Sequence, residues 1–421
     1  MPCLTIDSDR LWARLHQLAA LAEDPAGGIS RLAWSPSYKA SAQLLARWMA
    51  ESGLTIRNDT VGNLYGRLPG QAALPAVLAG SHLDSVPNGG IFDGAAGVVA
   101  ALEALTTLRE NGVVPLRPLE MAAFVNEEGS RFVGGMFGSR AAAGLIPEGY
   151  VDTCCDWTTG TPLRQVLDGY GQGANPDAIA ASALNPASYL CFLELHIEQG
   201  KHLLEKGLPL AVVSGIAGIR QFYIELVGES CHAGGMAMAH RHDAMAGAAA
   251  IIAKAEALAL TSPSDTRATV GSVEVHPGEH NIVAGRVRLS VDYREADPAI
   301  WRQYYDNLMT FTESECARRG LAYHIQTTAE EAPAPCHPAL TGLLKQAAQR
   351  RHLPHTTMVS YPAHDAVQMA RIMPIGMLFL RSGNNGLSHC PQEYTGKEDL
   401  ASGVQLLCDT LLELGQSTVS L

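Results

Sequence analysis

The sequence predicts an α/β fold in which a smaller domain is inserted into a larger one built around a mostly parallel sheet. Three observations lead to this prediction. The 421 residues are enough for two domains. Helical and strand-like segments alternate along the first half of the chain, as in α/β sheets. Between about residues 212 and 328 apolar and polar residues alternate, which is typical of half-exposed antiparallel strands.

The larger domain is predicted from helical segments that separate short apolar runs. Apolar residues recur at helical spacing over residues 42–52, and a second helix with small residues is expected over 94–108. Predominantly apolar runs indicate buried strands, which we place at 76–79, 119–125, 189–197 and 374–380.

The inserted domain is predicted from two strand–helix units. Strands with alternating apolar residues near 222–226 and 287–291 are each followed by a helix, over 243–258 and 298–319. With additional short strands, these units fit a βαββαβ (ferredoxin-like) sandwich. We therefore predict a discontinuous large domain over residues 1–211 and 329–421 and an inserted domain over 212–328, with 330–337 as the return linker.

Composition excludes several classes of protein. Thirty Lys and Arg against 42 Asp and Glu give a formal charge of −12, which argues against nucleic acid and against anionic membranes as partners. No apolar stretch is long enough to span a membrane, and the N-terminus lacks the pattern of a signal peptide. Nine cysteines are too few for a disulfide scaffold, so we expect a globular protein of the reducing cytoplasm.

Acidic and histidine residues cluster directly after the predicted strands. In an open parallel sheet the carboxyl ends of the strands meet at one edge, so groups that are distant in sequence can converge there. A further acidic residue lies in a glycine-rich loop 11 residues after the first histidine. These candidate residues are His82 with Asp84, the loop residue Asp93, the pair Glu127 and Glu128, His196 and His389.

This mixture of imidazoles and carboxylates is typical of zinc, manganese or cobalt sites. A loop carboxylate such as Asp93 can bridge two ions, as in hydrolytic two-metal sites. One of the adjacent Glu127 and Glu128 can bind metal while the other accepts a proton from the attacking water. Asp84 can hold the imidazole of His82 in place.

Each cluster also has an ordinary structural explanation. His82 and Asp84 could be a surface pair, adjacent glutamates are usually solvated, and His196 could be a core histidine. Other chemistries lack their motifs, however. Ser139 and Ser214 do not lie in a G-x-S-x-G turn, and the glycine-rich loop has neither phosphate-binding pattern. Because several clusters follow separate strands, a metal site is the favoured interpretation.

Six segments carry a resemblance to a known family: GSHLDSVPNGGIFDGAAG, FVNEEGSRF, ELHIEQG, CHAGGMAMAHRHDA, EHNIVAGRVRLSVDYR and GLSHCPQEYT. They resemble the M20-type metal-dependent amidases over roughly residues 31–407. HIEQG and NEEGSRF together are similar to the hydantoinase–carbamoylase branch, which comprises N-carbamoyl-L-amino acid amidohydrolases, allantoate amidohydrolases and β-ureidopropionases. They separate this branch from the M20 peptidases.

The resemblance implies two divalent metal ions per chain, with zinc favoured and manganese, cobalt or nickel as alternatives. It assigns one ion to His82 and His196 and the other to Glu128 and His389, with Asp93 between them. By the same resemblance Glu127 is the general base and Asp84 orients His82.

Further roles follow from the resemblance alone. His232 and Asn281 would bind substrate and stabilise the oxyanion, Arg294 would pair with a substrate carboxylate, and Gln199 would contact the ureido end. Family members commonly receive the equivalent of His232 from a partner subunit. A homodimer formed through the inserted domain is therefore implied, and that domain is expected to act as a lid with hinges near residues 212 and 328.

The implied activity is hydrolysis of the carbamoyl C–N bond of an N-carbamoyl-L-amino acid to the amino acid, ammonia and carbon dioxide. Allantoate or another ureido or amide compound is the alternative substrate. A metallopeptidase and a non-catalytic binding protein are less favoured.

Three segments depart from the family pattern near the expected substrate pocket. Tyr361-Pro362-Ala363 stand where the family has Gly-Ala-Gly, and Gly235-Met236-Ala237 stand where it has Thr-Thr-Pro. Arg381 replaces a common Pro. The predicted metal ligands are unaffected by these differences.

Overall fold

The computed structural model describes residues 4–421 and divides them into two compact units. The first comprises the chain up to Ser214 together with Cys336–Met358 and Ala363–Leu421, and the second comprises Gly215–Pro335 and Val359–Pro362. The second unit thus includes a short return segment, residues 359–362, that the sequence pattern places in the large domain.

Both units are built from strands and helices. The strands are β1 (Thr55–Asn58), β2 (Leu64–Leu68), β3 (Ala76–His82), β4 (Leu119–Phe124), β5 (Tyr189–Ile197), β6 (Leu210–Ile216), β7 (Gly218–Val227), β8 (Arg267–Thr269), β9 (Val273–His276), β10 (Arg286–Glu295), β11 (Ala322–Glu331), β12 (Ala334–Pro335), β13 (His355–Ser360) and β14 (Ile375–Leu380). The helices are α1 (Ser8–Ala20), α2 (Pro36–Glu51), α3 (Ala95–Glu110), α4 (Phe137–Ala142), α5 (Tyr150–Thr153), α6 (Leu163–Tyr170), α7 (His202–Lys206), α8 (Ala244–Leu260), α9 (Pro298–Arg319), α10 (Pro338–Arg350), α11 (Asp365–Met369) and α12 (Lys397–Gly415).

The sheet of the first unit is parallel at its centre. Its strand order runs β1-β2-β4-β3-β5-β14-β6, with β13 also paired to β6, and the four central strands β4, β3, β5 and β14 run parallel. The pairs at either side, β1 with β2, β2 with β4 and β14 with β6, are antiparallel. The predicted α/β class is confirmed, and the four strands placed from sequence are the central ones.

Burial explains why these strands are predominantly apolar. Every residue of β3, β4 and β14 is buried, because helices cover the sheet. The helix α3 is buried from Ala95 to Leu108, and a helix that is apolar all round is expected in such a position. It approaches the sheet closely at Gly97, where an added Cβ would lie 2.2 Å from the main-chain oxygen of Leu195.

The second unit contains an antiparallel sheet in the order β11-β7-β10-β8, with β9 also paired to β10. The short strands β8 and β9 pair with different parts of the same edge of β10, so together they occupy one strand position. The observed order is therefore βαββαβ with its second strand split in two. Apolar residues of β7 and β10 pack with α8 and α9 into a core of their own.

Among residues 4–421, no helix combines the length and the hydropathy that crossing a bilayer would require.

Candidate metal centre

The central strands of the first unit bring the predicted ligands to one edge of the sheet. His82 is the last residue of β3 and His196 lies at the end of β5, while Glu128 and His389 follow β4 and β14. Because these four strands are parallel neighbours, their carboxyl ends lie side by side, as the sequence predicts. The imidazoles of His82 and His196 are buried, whereas the side chain of His389 is 49% exposed.

Asp93 lies at the middle of this cluster. Its Oδ1 is 3.3 Å from Nε2 of His82 and 3.1 Å from Nε2 of His196. Its Oδ2 is 3.3 Å from Nε2 of His389. Two groups of potential ligand atoms result, each with all atoms within 4.8 Å of one another: His82, Asp93 and His196 form one group, and Asp93, Glu128 and His389 form the other. Asp93 is the member they share.

The adjacent glutamates lie at different places in the cluster. Oε2 of Glu127 is 3.8 Å from Nε2 of His82, and Oε2 of Glu128 is 3.5 Å from Nε2 of His389. Their side chains are only 11% and 6% exposed. The main-chain N–H groups of both glutamates donate to the carboxylate of Asp84, at 3.1 and 3.2 Å, so this carboxylate fixes the peptide that carries them.

The histidine rings are oriented by main-chain carbonyls. Nδ1 of His82 is 3.0 Å from the carbonyl oxygen of Asp84, and Nδ1 of His196 is 2.9 Å from that of Ile197. A carbonyl only accepts, so Nδ1 carries a hydrogen in both rings, and this bond turns Nε2 of each ring towards Asp93. The Asp84 carboxylate, which the sequence suggests as the group orienting His82, lies 3.9 Å from Nδ1.

Electrostatics in the cluster reflect burial and close charges. Burial raises the pKa of Glu127 well above its usual range and that of Glu128 to about 7. Burial opposes a charge on His82, but the carboxylates of Glu127 and Asp93 raise the pKa of this imidazole well above its ordinary value. Burial also opposes a charge on Asp93, yet the imidazole of His196 contributes to a pKa well below the usual one.

These residues fit a divalent metal. Imidazole nitrogens and carboxylate oxygens form two groups of potential ligand atoms that share Asp93. In addition, Oε1 of Glu128 is buried without a hydrogen-bond partner among the described residues. A buried carboxylate oxygen without a partner is costly unless a cation or a proton satisfies it. His82, Asp93, Glu128, His196 and His389 could therefore hold metal, as the sequence predicts.

Gln199 lies beside these groups. Its Nε2 donates to Oδ2 of Asp93 at 2.8 Å and is 3.3 Å from Nε2 of His389, while its Oε1 is buried without a partner among residues 4–421. The backbone is left-handed at Gln199 and His389, and also at Asn126 just before the two glutamates. Non-glycine residues in this region are uncommon and concentrate at functional sites.

The second unit brings His232 and Asn281 together. The N–H of Ala233 donates to the carbonyl of Asn281 at 2.8 Å, and an isolated bridge joins His232 to Ile282. Nδ1 of His232 accepts the N–H groups of Gly234 and Gly235, at 3.1 and 3.0 Å. Since Nδ1 accepts, the neutral ring carries its hydrogen on Nε2, which is a donor.

Arg294, the predicted carboxylate partner, also lies in the second unit. Its guanidinium is 3.2 Å from Asp292 and donates to the carbonyl of Tyr361 at 3.3 Å. The Tyr361 hydroxyl donates to the carbonyl of Asp265 at 2.5 Å, and Arg267 lies 3.3 Å above the Tyr361 ring. Tyr361, one of the departures from the family pattern, is thus attached to the second unit by several contacts.

Two other arginines have structural partners. Arg220, a half-buried residue of β7, pairs with Glu330 and lies about equally close to the rings of Trp301 and Tyr305, at 4.2 and 4.1 Å. Arg381 pairs with Asp399 at 2.8 Å.

His364 contacts the centre, although the strand pattern did not indicate it. It is buried, and its ring centroid is 4.4 Å from that of His196. Burial and the neighbouring His196 hold the pKa of His364 well below its ordinary value, so the ring is neutral. A signal was present in the sequence, because His364 directly follows the Tyr361-Pro362-Ala363 segment that departs from the family pattern.

With this geometry the class of protein is defined. The chain belongs to peptidase family M20/M25/M40, whose model matches residues 78–413. The predicted enzyme class is confirmed: the chain is an amidohydrolase.

Particular relatives extend the comparison over nearly the whole chain. An N-carbamoyl-L-amino acid amidohydrolase of Geobacillus stearothermophilus is 38% identical over 98% of this chain and 99% of its own length. Allantoate amidohydrolase of Escherichia coli strain K12 is 35% identical over 95% of this chain and 96% of its own. The crystal structure of a hydantoinase/carbamoylase family amidase from Burkholderia multivorans has a TM-score of 0.86 at 33% identity, covering 99% of this chain and 100% of that one. The predicted family is therefore confirmed.

Proposed function

We propose that this protein is a binuclear-metal hydrolase that cleaves the carbamoyl C–N bond of N-carbamoyl-L-amino acids and releases the L-amino acid, ammonia and carbon dioxide. The observation that carries the proposal is Asp93, whose two oxygens belong to two different groups of potential ligands. The similarity to the Geobacillus stearothermophilus amidohydrolase supports this substrate class. Allantoate is the second candidate, supported by the Escherichia coli relative.

His82 and His196 would hold one ion, Glu128 and His389 the other, and Asp93 would contact both. Two divalent ions, zinc in the first place, would supply Lewis acidity at the ureido carbonyl and acidify the attacking water.

Glu127 accepts the proton of that water and delivers it to the departing nitrogen. Burial raises the pKa of Glu127, which makes its carboxylate a stronger base towards the water. The main-chain N–H groups of Glu127 and Glu128 both donate to the Asp84 carboxylate, which fixes the two glutamates relative to each other. Gln199, beside Asp93, would contact the ureido end of the substrate.

Residues of the second unit complete the proposed mechanism. The Nε2–H of His232 and the amide of Asn281 would donate to the developing oxyanion, and one such donor is typically worth about 3 kcal/mol. Arg294 would pair with the substrate carboxylate, with Asp292 fixing its guanidinium. These roles rest on the family resemblance, as do a homodimer formed through the second unit and its closure as a lid. A cytoplasmic location is supported by eight free cysteines among the described residues.

The test is ammonia release from a panel of N-carbamoyl-L-amino acids and allantoate, with chelated and metal-reconstituted protein side by side. We expect metal-dependent turnover of the carbamoyl amino acids. Turnover of allantoate alone would favour the second candidate. Peptides in the same panel test the metallopeptidase alternative, and their selective hydrolysis would contradict the proposal. If the protein binds two ions but hydrolyses nothing in the panel, the assigned substrate is wrong and the Tyr361 segment is the first place to seek the reason.

A further inference from the structure

Glu393 is a buried carboxylate whose hydrogen bonds all go to neutral donors near the centre. It is 5% exposed. Its Oε1 accepts the main-chain N–H groups of Phe92 and Asp93, each at 3.0 Å. Its Oε2 accepts the hydroxyl of Ser388 at 2.8 Å. Taking a carboxyl group out of water is costly, so this buried one requires a structural or functional reason.

These bonds join two loops that carry different ligands. Phe92 and Asp93 lie in the loop between β3 and α3, whereas Ser388 lies between β14 and α12, next to His389. The Ser388 hydroxyl is also 3.1 Å from Oδ2 of Asp93, so it lies between the two carboxylates.

The loop main chain packs directly on the Glu393 side chain. A Cβ added at Gly90 would lie 2.3 Å from both Cβ and Oε1 of Glu393. This glycine therefore allows the loop to approach until the N–H groups of Phe92 and Asp93 reach the carboxylate. Asp93 is held at both ends: Glu393 bonds its main chain, and Gln199 and Ser388 contact its carboxylate.

We propose that Glu393 is a positioning residue that fixes Asp93 and the His389 loop so that one carboxylate can serve two metal ions. It acts through Asp93 and Ser388 and not as a ligand, since its oxygens are occupied by these donors. The inference rests on the proposed function, because it requires that Asp93 be shared between ions.

The two ions should depend on Glu393 to different extents. In the group formed by His82, Asp93 and His196 all members are buried, and both histidines lie at the ends of central strands. In the other group, Asp93 and His389 both lie on the loops that Glu393 joins, and His389 is half-exposed. Loss of Glu393 should therefore weaken metal binding by the second group more than metal binding by the first.

The experiment is a zinc titration of metal-free protein, prepared with a chelator, in competition with a chromophoric chelator. Wild type and the matched control Glu398→Ala, an exposed glutamate in the first turn of α12, should bind two ions per chain. Glu393→Ala should bind one ion nearly as wild type and the other at least about tenfold more weakly, as expected for the loss of a group that orients a ligand. At saturating zinc, kcat should largely recover while KM stays unchanged.

Two milder variants keep the test decisive if Glu393→Ala does not fold. In Glu393→Gln the amide oxygen can still accept from Phe92 and Asp93, so its loss of affinity should be smaller than that of Glu393→Ala. Ser388→Ala removes the hydroxyl between the carboxylates and leaves Glu393 in place. Its second ion should also be bound more weakly than in wild type.

Unchanged affinity for both ions in all variants that fold would overturn the inference and leave the proposed function intact. Wild-type protein that binds fewer than two ions would instead overturn the proposed function and the inference together. The two failures are therefore distinguishable in the same titration.

Discussion

Replacing Glu127 and Glu128 by glutamine, one at a time, separates proton transfer from metal binding at adjacent positions. Both residues donate their main-chain N–H to the Asp84 carboxylate, so neither substitution removes a bond that holds the peptide. The carboxylate of Glu127 approaches His82, while that of Glu128 approaches His389 and shares a potential metal group with Asp93. The same chemical change should therefore have different consequences.

For Glu127→Gln we expect kcat to fall by about 10²–10⁴-fold, which corresponds to roughly 3–5 kcal/mol of transition-state free energy. A glutamine cannot accept the proton of the attacking water, yet it leaves every predicted ligand in place, so two zinc ions should still bind. For Glu128→Gln we expect loss of one anionic ligand, with a zinc affinity at least about tenfold weaker at one position.

The assay combines metal analysis after dialysis, a zinc titration and steady-state ammonia release at saturating zinc. Glu127→Gln should keep its zinc and its KM, and Glu128→Gln should recover part of its activity as zinc is raised. If Glu127→Gln loses an ion while Glu128→Gln keeps two, the roles are reversed. The assignment from distances to His82 and His389 would then be refuted.

Three further predictions concern stability. Removal of metal by a chelator should lower Tm, because ions at a concentration of a hundred times Kd stabilise the folded protein by about 2.7 kcal/mol per site. Equal Tm values for metal-free and metal-loaded protein in scanning calorimetry would contradict this. Gly97→Ala should destabilise by about 1–3 kcal/mol in urea, because its Cβ would lie 2.2 Å from the oxygen of Leu195. Gly169→Ala, a helical control with open space around it, should be neutral or stabilise by up to about 1 kcal/mol. Asp7 accepts the N–H groups of Asp9 and Arg10 as the N-cap of α1, and the bond from Arg10 is the main reason that its pKa is lowered. Asp7→Ala should therefore cost about 1 kcal/mol at pH 7. Because the pKa of Asp7 is lower in the folded than in the unfolded chain, its contribution to stability is full above about pH 4 and is lost as the pH falls through the lowered value. The difference between the urea midpoints of wild type and variant should therefore shrink from pH 7 to pH 3. An equal difference at both pH values would refute this prediction.

The central sheet could be predicted because its strands are short, predominantly apolar runs. The convergence of the candidate ligands could be predicted because they follow those runs, and parallel strands bring such positions together. The antiparallel edge of the sheet could not be predicted in the same way, because β1 is exposed at all four residues and has no apolar pattern. The split strand formed by β8 and β9 could not be specified in advance, because three- and four-residue segments carry little periodicity.

Side-chain orientation was the harder part of the site. The sequence pairs Asp84 with His82 because they are two residues apart. In the folded chain the carbonyl of Asp84 takes that role and its carboxylate turns to the N–H groups of Glu127 and Glu128. Glu393 lies in the same sequence segment as His389, but its bonds to a loop about 300 residues earlier arise only from tertiary packing. No local pattern distinguishes it from an ordinary surface glutamate.

The position of β14 in the sheet also determines when the centre can be completed during synthesis. His82, Asp93 and His196 are all translated before the second unit, but His389 follows β14, which pairs with β5 and is translated after that unit. Until β14 emerges from the ribosome, β5 has an unpaired edge and one group of ligands lacks its histidine. A nascent chain can therefore assemble the buried group first, and binding of the second ion would mark a chain that has been translated past His389.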